Sequence, residues 1–376
     1  MPVEIRETPL GDDLRDFLDV VDYIYRDDPN YVRPLDMDLK GKLSHSNPFF
    51  DHAQGTTFTA YRNGWCVGRC TAQIDRLHQE RYQDAAGFFG YLDTTDDEQV
   101  AKALLDAAAE WLASRGCQRM RGPFMLSTSD TEVGCLVDGF DSPPYIMMSH
   151  HRPYQGELIE KAGLSKLKDA YAWRYKIGGV PARAERALKQ LDSLPNVKAR
   201  HVDTRNVERD IRIVMDIYND AWGTNWGFIP MTEAELAKMA REIKLILDTR
   251  LTLIVEIDGE PAGVAFALPN INESIRDLGG KLFPIGFAKL LWRLKFNRPK
   301  SARLIILGIR QKFRNMKQWA ALSTYMYTWI NHSSMRAGYE RGELSWTLED
   351  NHPVNLGIKF MGGEIYKRYR FYERTL

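Results

Sequence analysis

The feature that most restricts the fold is a hairpin signal that occurs twice in the chain. Asn63-Gly64 and Asp258-Gly259 each separate two short apolar runs, and Asn63 and Asp258 are 195 residues apart. Both central residues of a type I′ turn need positive φ, so Asn-Gly and Asp-Gly in this context predict tight β-hairpins. A chain that repeats one such element is expected to repeat the structure around it.

The segments around the two hairpins correspond in the same way. Each half opens with an alternating strand and an acid-rich helix, and after the hairpin a further strand leads into a long helix. Each half closes with a short helix and an aromatic-rich strand. The predicted elements outside the hairpins are residues 3–7, 12–26, 88–92, 97–114, 158–163 and 171–175 in the first half, and 197–201, 208–221, 304–307, 317–337, 356–363 and 366–372 in the second. The order β-α-ββ-β-α-β-α-β predicts an α/β fold of two tandem domains, residues 1–180 and 195–376, each with a mixed central sheet flanked by helices.

Length and composition agree with two soluble domains. A chain of 376 residues exceeds what one hydrophobic core normally serves, and 44% hydrophobic with 27% charged residues excludes global disorder. No apolar stretch is long enough to predict a membrane-spanning helix. The polar N-terminal segment leads us to expect a cytoplasmic protein. The four cysteines form neither a disulfide framework nor a zinc-ligand pattern, so we expect reduced thiols and no metal.

The basic residues are unevenly distributed, although the net charge is only +1. Residues 278–339 carry twelve lysines and arginines and no acidic residue. Such segregation indicates a surface that faces an anion: the phosphates of a cofactor, an anionic membrane or a nucleic acid. A solvated basic face without a partner is the alternative. Nucleic acid is the least favoured partner, because the stretch lacks the spaced aromatic platforms of single-strand binders.

Several local motifs resemble one known family. They are Asn47-Pro48-Phe49-Phe50-x-His52-Ala53, Met120-Arg121-Gly122-Pro123, Val137-Asp138-Gly139-Phe140-Asp141, Asn225-Trp226-Gly227-Phe228 and Trp346-x-Leu348-Glu349-Asp350-Asn351, where x is any residue. Together with the repeated element order, they resemble a bacterial branch of the GNAT acyltransferase superfamily that includes the bacterial ceramide synthases. The resemblance covers nearly the whole chain. It implies two tandem GNAT domains and transfer of an acyl group from acyl-CoA, as co-substrate, to an amine.

In that superfamily the CoA pyrophosphate binds backbone N–H groups where a strand turns into a helix, at a glycine-containing motif. Arg314 matches the first residue of the motif, whereas Lys317 and Trp319 occupy the positions of its glycines. Side chains there restrict close approach of a diphosphate. We therefore expect Arg310, Lys312, Arg314 and Lys317 to bind the donor through charge-assisted hydrogen bonds instead. An exposed helix entry without a ligand is the alternative.

The corresponding junction of the first half, residues 93–98, is acidic. Acids cap a helix well but repel phosphate. The sequence therefore predicts an N-terminal domain without a phosphate-binding loop and an acyl-donor site in the C-terminal domain.

Amide formation needs a neutral amine and a proton for the leaving thiolate. The strand before the donor loop carries no Glu, so Glu349 and His352 after the next strand are the candidate bases. The resemblance implies that Asn351 contacts the pantetheine arm. It also implies that Tyr366 lies in the region of the tyrosine that commonly serves as the general acid in this family. A turn with a helix cap at residues 350–351, and ordinary strand packing of Tyr366, are the alternatives.

An aromatic and polar cluster follows the first helix of the second half. Its members are Trp222, Asn225, Trp226 and Phe228. An aromatic wall with one amide suits a long apolar amine with a polar head, so we expect these residues to bind the acceptor. Helix-end packing is the alternative.

The second half also carries a basic amphipathic insertion, residues 276–303. At helical spacing its apolar residues share a face with basic flanks, which is typical of an interfacial helix. The expected membrane contacts are Phe283, Phe287, Leu290, Leu291, Trp292 and Leu294. Packing of this helix on a domain core is the alternative.

These features lead to one principal hypothesis: an acyl-CoA-dependent N-acyltransferase that joins a fatty acyl group to the amine of a long-chain, sphingoid-type base, giving a ceramide-like amide. We expect it to be cytoplasmic, peripheral on the inner face of the cell membrane, and a monomer whose two GNAT units imitate a GNAT dimer. The alternative is a catalytically silent lipid-binding protein on a degenerate GNAT scaffold. Acyl-chain length, and CoA versus carrier protein as donor, stay open.

Overall fold

The structure, a computed structural model, describes residues 2–127 and 134–376. The first half of the chain contains, in order, β1 (Glu4–Pro9), α1 (Arg15–Ile24), α2 (Asp36–Lys42), β2 (Ala53–Arg62), β3 (Trp65–Asp75), α3 (Arg76–Tyr82), β4 (Ala86–Thr94), α4 (Glu98–Ala113), β5 (Arg119–Gly122), β6 (Cys135–Asp138), α5 (Gln155–Lys161) and β7 (Ser165–Lys176).

The second half repeats the main elements of this order, without a counterpart of β6 and with additional helices. Its elements are α6 (Ala182–Asp192), β8 (Val197–Arg200), α7 (Val207–Trp222), α8 (Glu233–Lys244), β9 (Thr252–Ile257), β10 (Glu260–Pro269), α9 (Asn272–Ile275), α10 (Gly286–Phe296), β11 (Ser301–Ile309), α11 (Gln311–Arg314), α12 (Leu322–Arg336), β12 (Arg341–Leu348), α13 (His352–Phe360) and β13 (Glu364–Thr375). The mixed α/β fold of two related halves is confirmed.

Both predicted hairpins are present. Asn63 and Gly64 have φ of 54° and 80°, and Asp258 and Gly259 have φ of 53° and 79°. Two successive positive values are what a type I′ turn requires. The turns fix the register of β2 with β3 and of β9 with β10, and hence which side chains point into each core.

By contacts, the chain forms two compact units that exchange terminal strands. The first contains Met1–Ala170, Ile275–Lys295 and Lys367–Leu376, and the second contains Tyr171–Ser274 and Phe296–Tyr366. Most of β13 thus belongs to the first unit, and the end of β7 belongs to the second. These packing units differ from the contiguous ranges 1–180 and 195–376, which describe the repeat in the sequence.

In the first unit the strands follow the order β1-β2-β3-β4-β5-β13, and β6 also pairs with β13. Neighbours are antiparallel except β4 and β5. Helix α4 supplies the largest apolar layer, because Val100, Leu104, Leu105, Ala108 and Leu112 recur at helical spacing and are fully buried.

In the second unit the order is β7-β12-β11-β10-β9-β8, with β11 and β12 parallel. Helix α12 packs on one face of this sheet, where Met326 lies against Gly263 of β10. Helix α7 packs on the other face, where Trp222 lies against Gly308 of β11. The register partner of Gly308 is Val264, the neighbour of Gly263, so the two contacts are on opposite faces.

The insertion differs from its prediction in two respects. Its helix begins at Gly286, so the expected contact residue Phe283 precedes the helix. The stretch is also divided, since residues 275–295 belong to the first unit and Arg303 is a fully buried residue of β11. Arg303 therefore does not contribute to a basic surface. Within residues 2–127 and 134–376, no helix is long and apolar enough to cross a membrane.

Candidate active site

The strands β11 and β12 pair only over their first residues. The parallel register runs from Ser301 with Arg341 to Leu304 with Leu344 and then ends, although β11 continues to Ile309 and β12 to Leu348. A bulge in β11 accompanies the separation, because Phe266 and Ala267 of β10 pair with Ile306 and Leu304, leaving one extra residue in β11. We call the opening between the two strand ends the β11–β12 wedge.

A buried polar cluster lies where the wedge begins. Glu343 and Arg303 are both fully buried, and Arg303 Nε is 3.7 Å from the Glu343 carboxylate. Ser345 Oγ donates to the same carboxylate at 2.5 Å, and Arg303 Nε donates to Ser345 Oγ at 2.8 Å. The hydroxyl of Tyr366 donates to the second oxygen of Glu343. The opposite charge and the hydrogen bonds offset the cost of burying the two ions.

This cluster lies on the sheet face that packs against α7. Arg303 pairs in register with Leu268 and Glu343, and residues alternate between faces along β11 except at the bulge. Arg303 therefore points away from the α12 face that Leu304 lines. The one predicted catalytic residue brought into the cluster is Tyr366, which is half-buried.

The opposite face carries an apolar cleft at the same level. Small or apolar residues line it, including Ala302 and Leu304 of β11, Leu344 of β12 and Ile330 of α12. Tyr175 also lines the cleft, and burial raises the pKa of its hydroxyl to about 12. The remaining lining residues are Ile177, Ala267, Tyr327, Asn331, Ser334, Gly342, Glu343 and Met361. The beginning of the wedge thus has a polar side and an apolar side.

Trp222 ends α7 and lies directly on the outer part of β11. A side chain at Gly308 would approach the indole to 2.6 Å, so the ring requires a glycine there. Tyr218 packs beside it, with ring centroids 4.8 Å apart and the rings tilted by 34°, and the edge-to-face contact of Tyr218 with Phe228 has a centroid distance of 5.3 Å. Phe228 is a core residue, whereas Trp222, Asn225 and Trp226 are half-buried.

The loop after β11 is folded as the short helix α11 and a single 3-10 turn, Lys317–Trp319, rather than as the start of α12. Arg310 pairs with Asp216, and Lys312 pairs with Glu260. The guanidinium of Arg314 donates to the carbonyls of Ile309 and Ala221, and burial lowers its pKa.

Lys317 is exposed at the tip of this loop. Helix α12 begins after Ala321, whose methyl side chain cannot accept a hydrogen bond from the first N–H groups of the helix. The ammonium group of Lys317 and the N-terminal amides of α12 are therefore the positive groups of this loop that a ligand could bind. Arg310 and Lys312 are already paired with acids.

The predicted residues Glu349, Asn351 and His352 lie after the end of β12. Glu349 is half-buried, and Asn351 precedes α13 without capping it by its side chain. His352 is the exposed first residue of α13. These three residues follow the outer end of β12, whereas Glu343 and Ser345 lie at the level where the wedge begins.

In the first unit the corresponding opening is closed. The pairing of β4 with β5 ends at Phe88 with Arg121, but the chain after β5 then crosses β4. The amide of Phe124 donates to the carbonyl of Phe89 at 2.8 Å, and a side chain at Gly90 would lie 1.9 Å from the carbonyl oxygen of Phe124.

The entry of α4 in this unit is also occupied. The carboxylate of Asp97 accepts hydrogen bonds from the amides of Gln99 and Val100, at 3.0 and 3.3 Å. It satisfies donors that an anion would otherwise bind and adds negative charge. This geometry favours a donor site in the second unit.

Sequence reasoning missed Arg303, Glu343 and Ser345. A signal was present, because Arg303 and Glu343 each interrupt a strand whose other residues are mostly apolar or small. Charged residues in such strands are rarely buried unless they pair. The pairing itself depends on the parallel register of β11 with β12, which cannot be read from the sequence.

Comparison with known proteins identifies the family. The chain is 42% identical over 353 residues to the bacterial ceramide synthase of Caulobacter vibrioides, covering 93% of this chain and 91% of that protein. It is 38% identical over 368 residues to protein YghO of Escherichia coli K12, covering 97% and 93%. No family model matches the chain.

Solved structures agree in fold. A tandem GNAT protein from the clavulanic acid biosynthesis pathway superposes with a TM-score of 0.58 at 14% identity, covering 99% of this chain and 98% of that one. A GCN5-related N-acetyltransferase from Sphaerobacter thermophilus gives 0.55 at 11% identity, covering 99% and 95%. The chain is an acyltransferase of the tandem GNAT fold and belongs to the family of the bacterial ceramide synthase.

Proposed function

We propose that the protein transfers a fatty acyl group from acyl-CoA to the amine of a long-chain, sphingoid-type base and produces a ceramide-like amide. The observation that carries the proposal is the β11–β12 wedge, with a buried acid and arginine and a half-buried tyrosine on one side and an apolar cleft on the other. Such an arrangement suits a polar reaction on a ligand with a long apolar tail. The name of the Caulobacter relative supports the same substrate class.

The donor is proposed to lie along the wedge, with its pantetheine arm between the separated strand ends. Asn351 follows the outer end of β12 and is available to contact that arm. The pyrophosphate is proposed to bind at the loop after β11, where Lys317 is exposed and Arg314 is held by two carbonyls. Arg310 and Lys312 contribute less, because Asp216 and Glu260 already neutralise them.

The acyl chain is proposed to enter the apolar cleft on the α12 face. Ala302 and Gly342 are the small residues of the paired strands there, and their size leaves the sheet face open to methylene groups in the cleft. The thioester carbonyl then comes to lie at the beginning of the wedge, beside Glu343 and Tyr366 on the opposite face.

The amine is proposed to approach from the α7 face, past Trp222, Asn225, Trp226 and Phe228. The indole of Trp222 covers the outer part of β11 and supplies an apolar wall for a long alkyl chain. This direction brings the amine and the acyl chain to opposite faces of the sheet, so that the two apolar tails do not compete for one groove.

Amide formation moves one proton from nitrogen to sulfur. The amine nitrogen bonds to the thioester carbon, the carbon–sulfur bond breaks, and the released thiolate needs the proton that the nitrogen loses. A tyrosine hydroxyl that donates to a carboxylate retains an acceptor lone pair. We propose that Tyr366 accepts the amine proton while passing its own to Glu343, and that the reverse transfer protonates the thiolate. Arg303 and Ser345 hold the carboxylate in place. No metal is needed for these steps.

Glu349 and His352 are kept as alternative bases. Both follow the outer end of β12. A proposal that rests on Tyr366 and Glu343 is preferred because the two side chains are already hydrogen-bonded to each other.

A catalytically silent lipid-binding protein is the second candidate, and the glycines missing from the donor loop are the observation in its favour. Membership of an acyltransferase family and the open wedge of the second unit favour the enzyme. A cytoplasmic location, a monomeric state and the absence of a nucleic-acid partner are further proposals.

The test is release of free thiol from palmitoyl-CoA by the full chain, with and without a long-chain base dispersed in detergent. Base-dependent release together with an N-acylated product, detected by mass spectrometry, is the expected result. Lys317→Glu and Arg314→Ala are expected to weaken it through the donor. Absence of release with any acyl-CoA, from a folded protein that still binds the base, would refute the acyl-CoA reaction and favour either a carrier-protein donor or the silent candidate.

A further inference from the structure

The insertion carries an unusual group of exposed apolar side chains in the first unit. We call it the α10 surface and define it by Phe283, Ile285, Phe287, Leu291 and Trp292. Their exposed fractions are 75%, 73%, 48%, 52% and 58%. Every residue of α10 is exposed or half-buried. Five large apolar side chains within ten residues differ from the single exposed apolar residues that are normal on a protein surface.

The opposite side of the helix is attached to the unit. Leu290, Arg293 and Leu294 are half-buried. The guanidinium of Arg293 donates to Asp277 at 2.9 Å, and Lys289 pairs with the same carboxylate. Hydrogen bonds from Arg293 and Lys289 hold the pKa of Asp277 well below its usual range.

The segment before the helix is attached as well. The guanidinium of Arg276 donates to the carbonyl of Pro29, and the amide of Asp36 donates to the carbonyl of Gly280 at 2.9 Å. Arg33 ties α2 to α1 through ion pairs with Asp36 and Asp19. The segment that carries the α10 surface is thus hydrogen-bonded to the loop before α2 and to the start of α2.

Charge identifies the kind of partner. Lys281 and Lys295 flank the α10 surface and are exposed. The nearest acid in the sequence is Asp277, which Lys289 and Arg293 occupy, and residues 278–339 contain no acid. Apolar side chains between basic ones are complementary to an interface that offers acyl chains beneath negative headgroups.

The helix is too short to cross a bilayer. Eleven residues extend about 16 Å, against about 30 Å for the hydrocarbon core. A Trp and two Phe side chains on such a helix suit the boundary between headgroups and acyl chains.

We propose that the α10 surface binds the surface of an anionic lipid bilayer. Phe283, Ile285, Phe287, Leu291 and Trp292 insert among the acyl chains, and Lys281 and Lys295 lie against the phosphates. This goes beyond the proposed reaction, since binding requires neither acyl-CoA nor an amine. An acidic protein is the other partner that such a surface could accept, and the experiment separates the two.

The experiment is sedimentation of the full chain with phosphatidylcholine vesicles that contain or lack phosphatidylglycerol. We expect binding to the anionic vesicles, and we expect Phe287→Ser/Trp292→Ser to weaken it about tenfold or more. Trp65→Ser is the matched control, because Trp65 is 77% exposed in the same unit but lies at the β2–β3 turn. It is expected to bind like the wild type.

A charge variant completes the test. Lys281→Glu/Lys295→Glu is expected to lose about tenfold in binding to anionic vesicles, and added salt is expected to reduce the difference. Equal binding of the wild type and the Phe287/Trp292 variant would overturn the proposal, and so would the absence of binding at low salt. In the latter case the α10 surface is a protein-binding surface. A protein that binds vesicles but releases no thiol refutes the proposed reaction alone, whereas an active protein that does not bind refutes this inference alone.

Discussion

Arg303 and Glu343 stand opposite each other in the parallel register of β11 and β12, and both side chains are fully buried. Removing one member of a buried ion pair leaves an uncompensated charge and commonly costs about 3–5 kcal/mol. Glu343 is therefore needed for stability whatever its part in the reaction. A variant that tests the reaction must keep the Arg303–Glu343 pair intact, and a substitution of Tyr366 does so.

Tyr366→Phe removes the hydroxyl that donates to Glu343 but keeps the ring and the Arg303–Glu343 pair. We expect the rate of base-dependent CoA release to fall by about a hundredfold or more, the range for loss of a general acid or base. The free energy of unfolding should fall by only about 1–3 kcal/mol, because one hydrogen bond to a charged group is lost. Stopped assays of thiol release and urea unfolding measure the two quantities.

A Tyr366→Phe enzyme with the wild-type rate and pH profile would exclude the relay and leave Glu349 or His352 as the base.

Gly342→Leu should change which acyl chains the enzyme accepts. A β-carbon at Gly342 would meet Tyr175 at 3.5 Å, an ordinary contact, so the backbone tolerates a side chain there. The rest of the leucine would occupy the apolar cleft. We expect kcat/KM to fall for palmitoyl-CoA and to be retained for short acyl-CoA thioesters. An equal loss at every chain length would contradict binding of the acyl tail in the cleft.

Gly308 and Trp222 make a pair that a mutant cycle can resolve. Gly308→Ala forces the indole to move, because the new methyl carbon would lie 2.6 Å from it. We expect a loss of about 1–3 kcal/mol in the free energy of unfolding, typical of overpacking, together with a higher KM for the long-chain base. In a Trp222→Leu background the same substitution should cost less, since the rigid ring is gone. Equal costs in both backgrounds would show that the ring does not rest on Gly308.

Much of the fold followed from local patterns in the sequence. The two hairpins were predictable because Asn63-Gly64 and Asp258-Gly259 dictate their own turn, and helices such as α4 and α7 carry a clear apolar period. The exchange of β13 and the end of β7 between packing units was not predictable. It depends on which sheet edge each strand meets, and a strand's own residues do not determine that.

The site was less predictable for the same reason. Arg303 counted as part of a basic surface in the sequence, but its position on the α7 face of β11 buries it opposite Glu343. Arg310 and Lys312 stay candidates for donor binding, but the structure pairs them with Asp216 and Glu260, which the sequence did not indicate. In both places the missing information is the pairing between residues that are distant in sequence.

Lys317→Glu tests the donor loop. Lys317 is exposed beside the entry of α12, so its reversal should raise the KM for acyl-CoA without affecting the free energy of unfolding. We expect an effect of about tenfold at low ionic strength that shrinks as salt is added. Lys189→Glu, on the exposed side of α6 in the same unit, is the control and should keep the wild-type KM. Lys312→Gln should have a smaller effect than Lys317→Glu, because Lys312 is already paired with Glu260.

The last prediction concerns acid stability and His151 in the first unit. His151 is buried, and its Nδ1 accepts a hydrogen bond from the amide of Leu136 at 3.1 Å, which requires the neutral ring. Burial lowers the pKa of His151 to about 4, whereas an unfolded histidine has a pKa of about 6.5. Between these values the unfolded chain binds the proton and the folded chain does not, so stability falls as the pH decreases from about 6.5 to about 4, by up to about 3 kcal/mol. His151→Asn keeps an acceptor for the Leu136 amide but cannot titrate. Urea unfolding at pH 7 and pH 5 should therefore show a smaller loss for the variant than for the wild type, and an equal loss in both would assign the acid sensitivity to other groups.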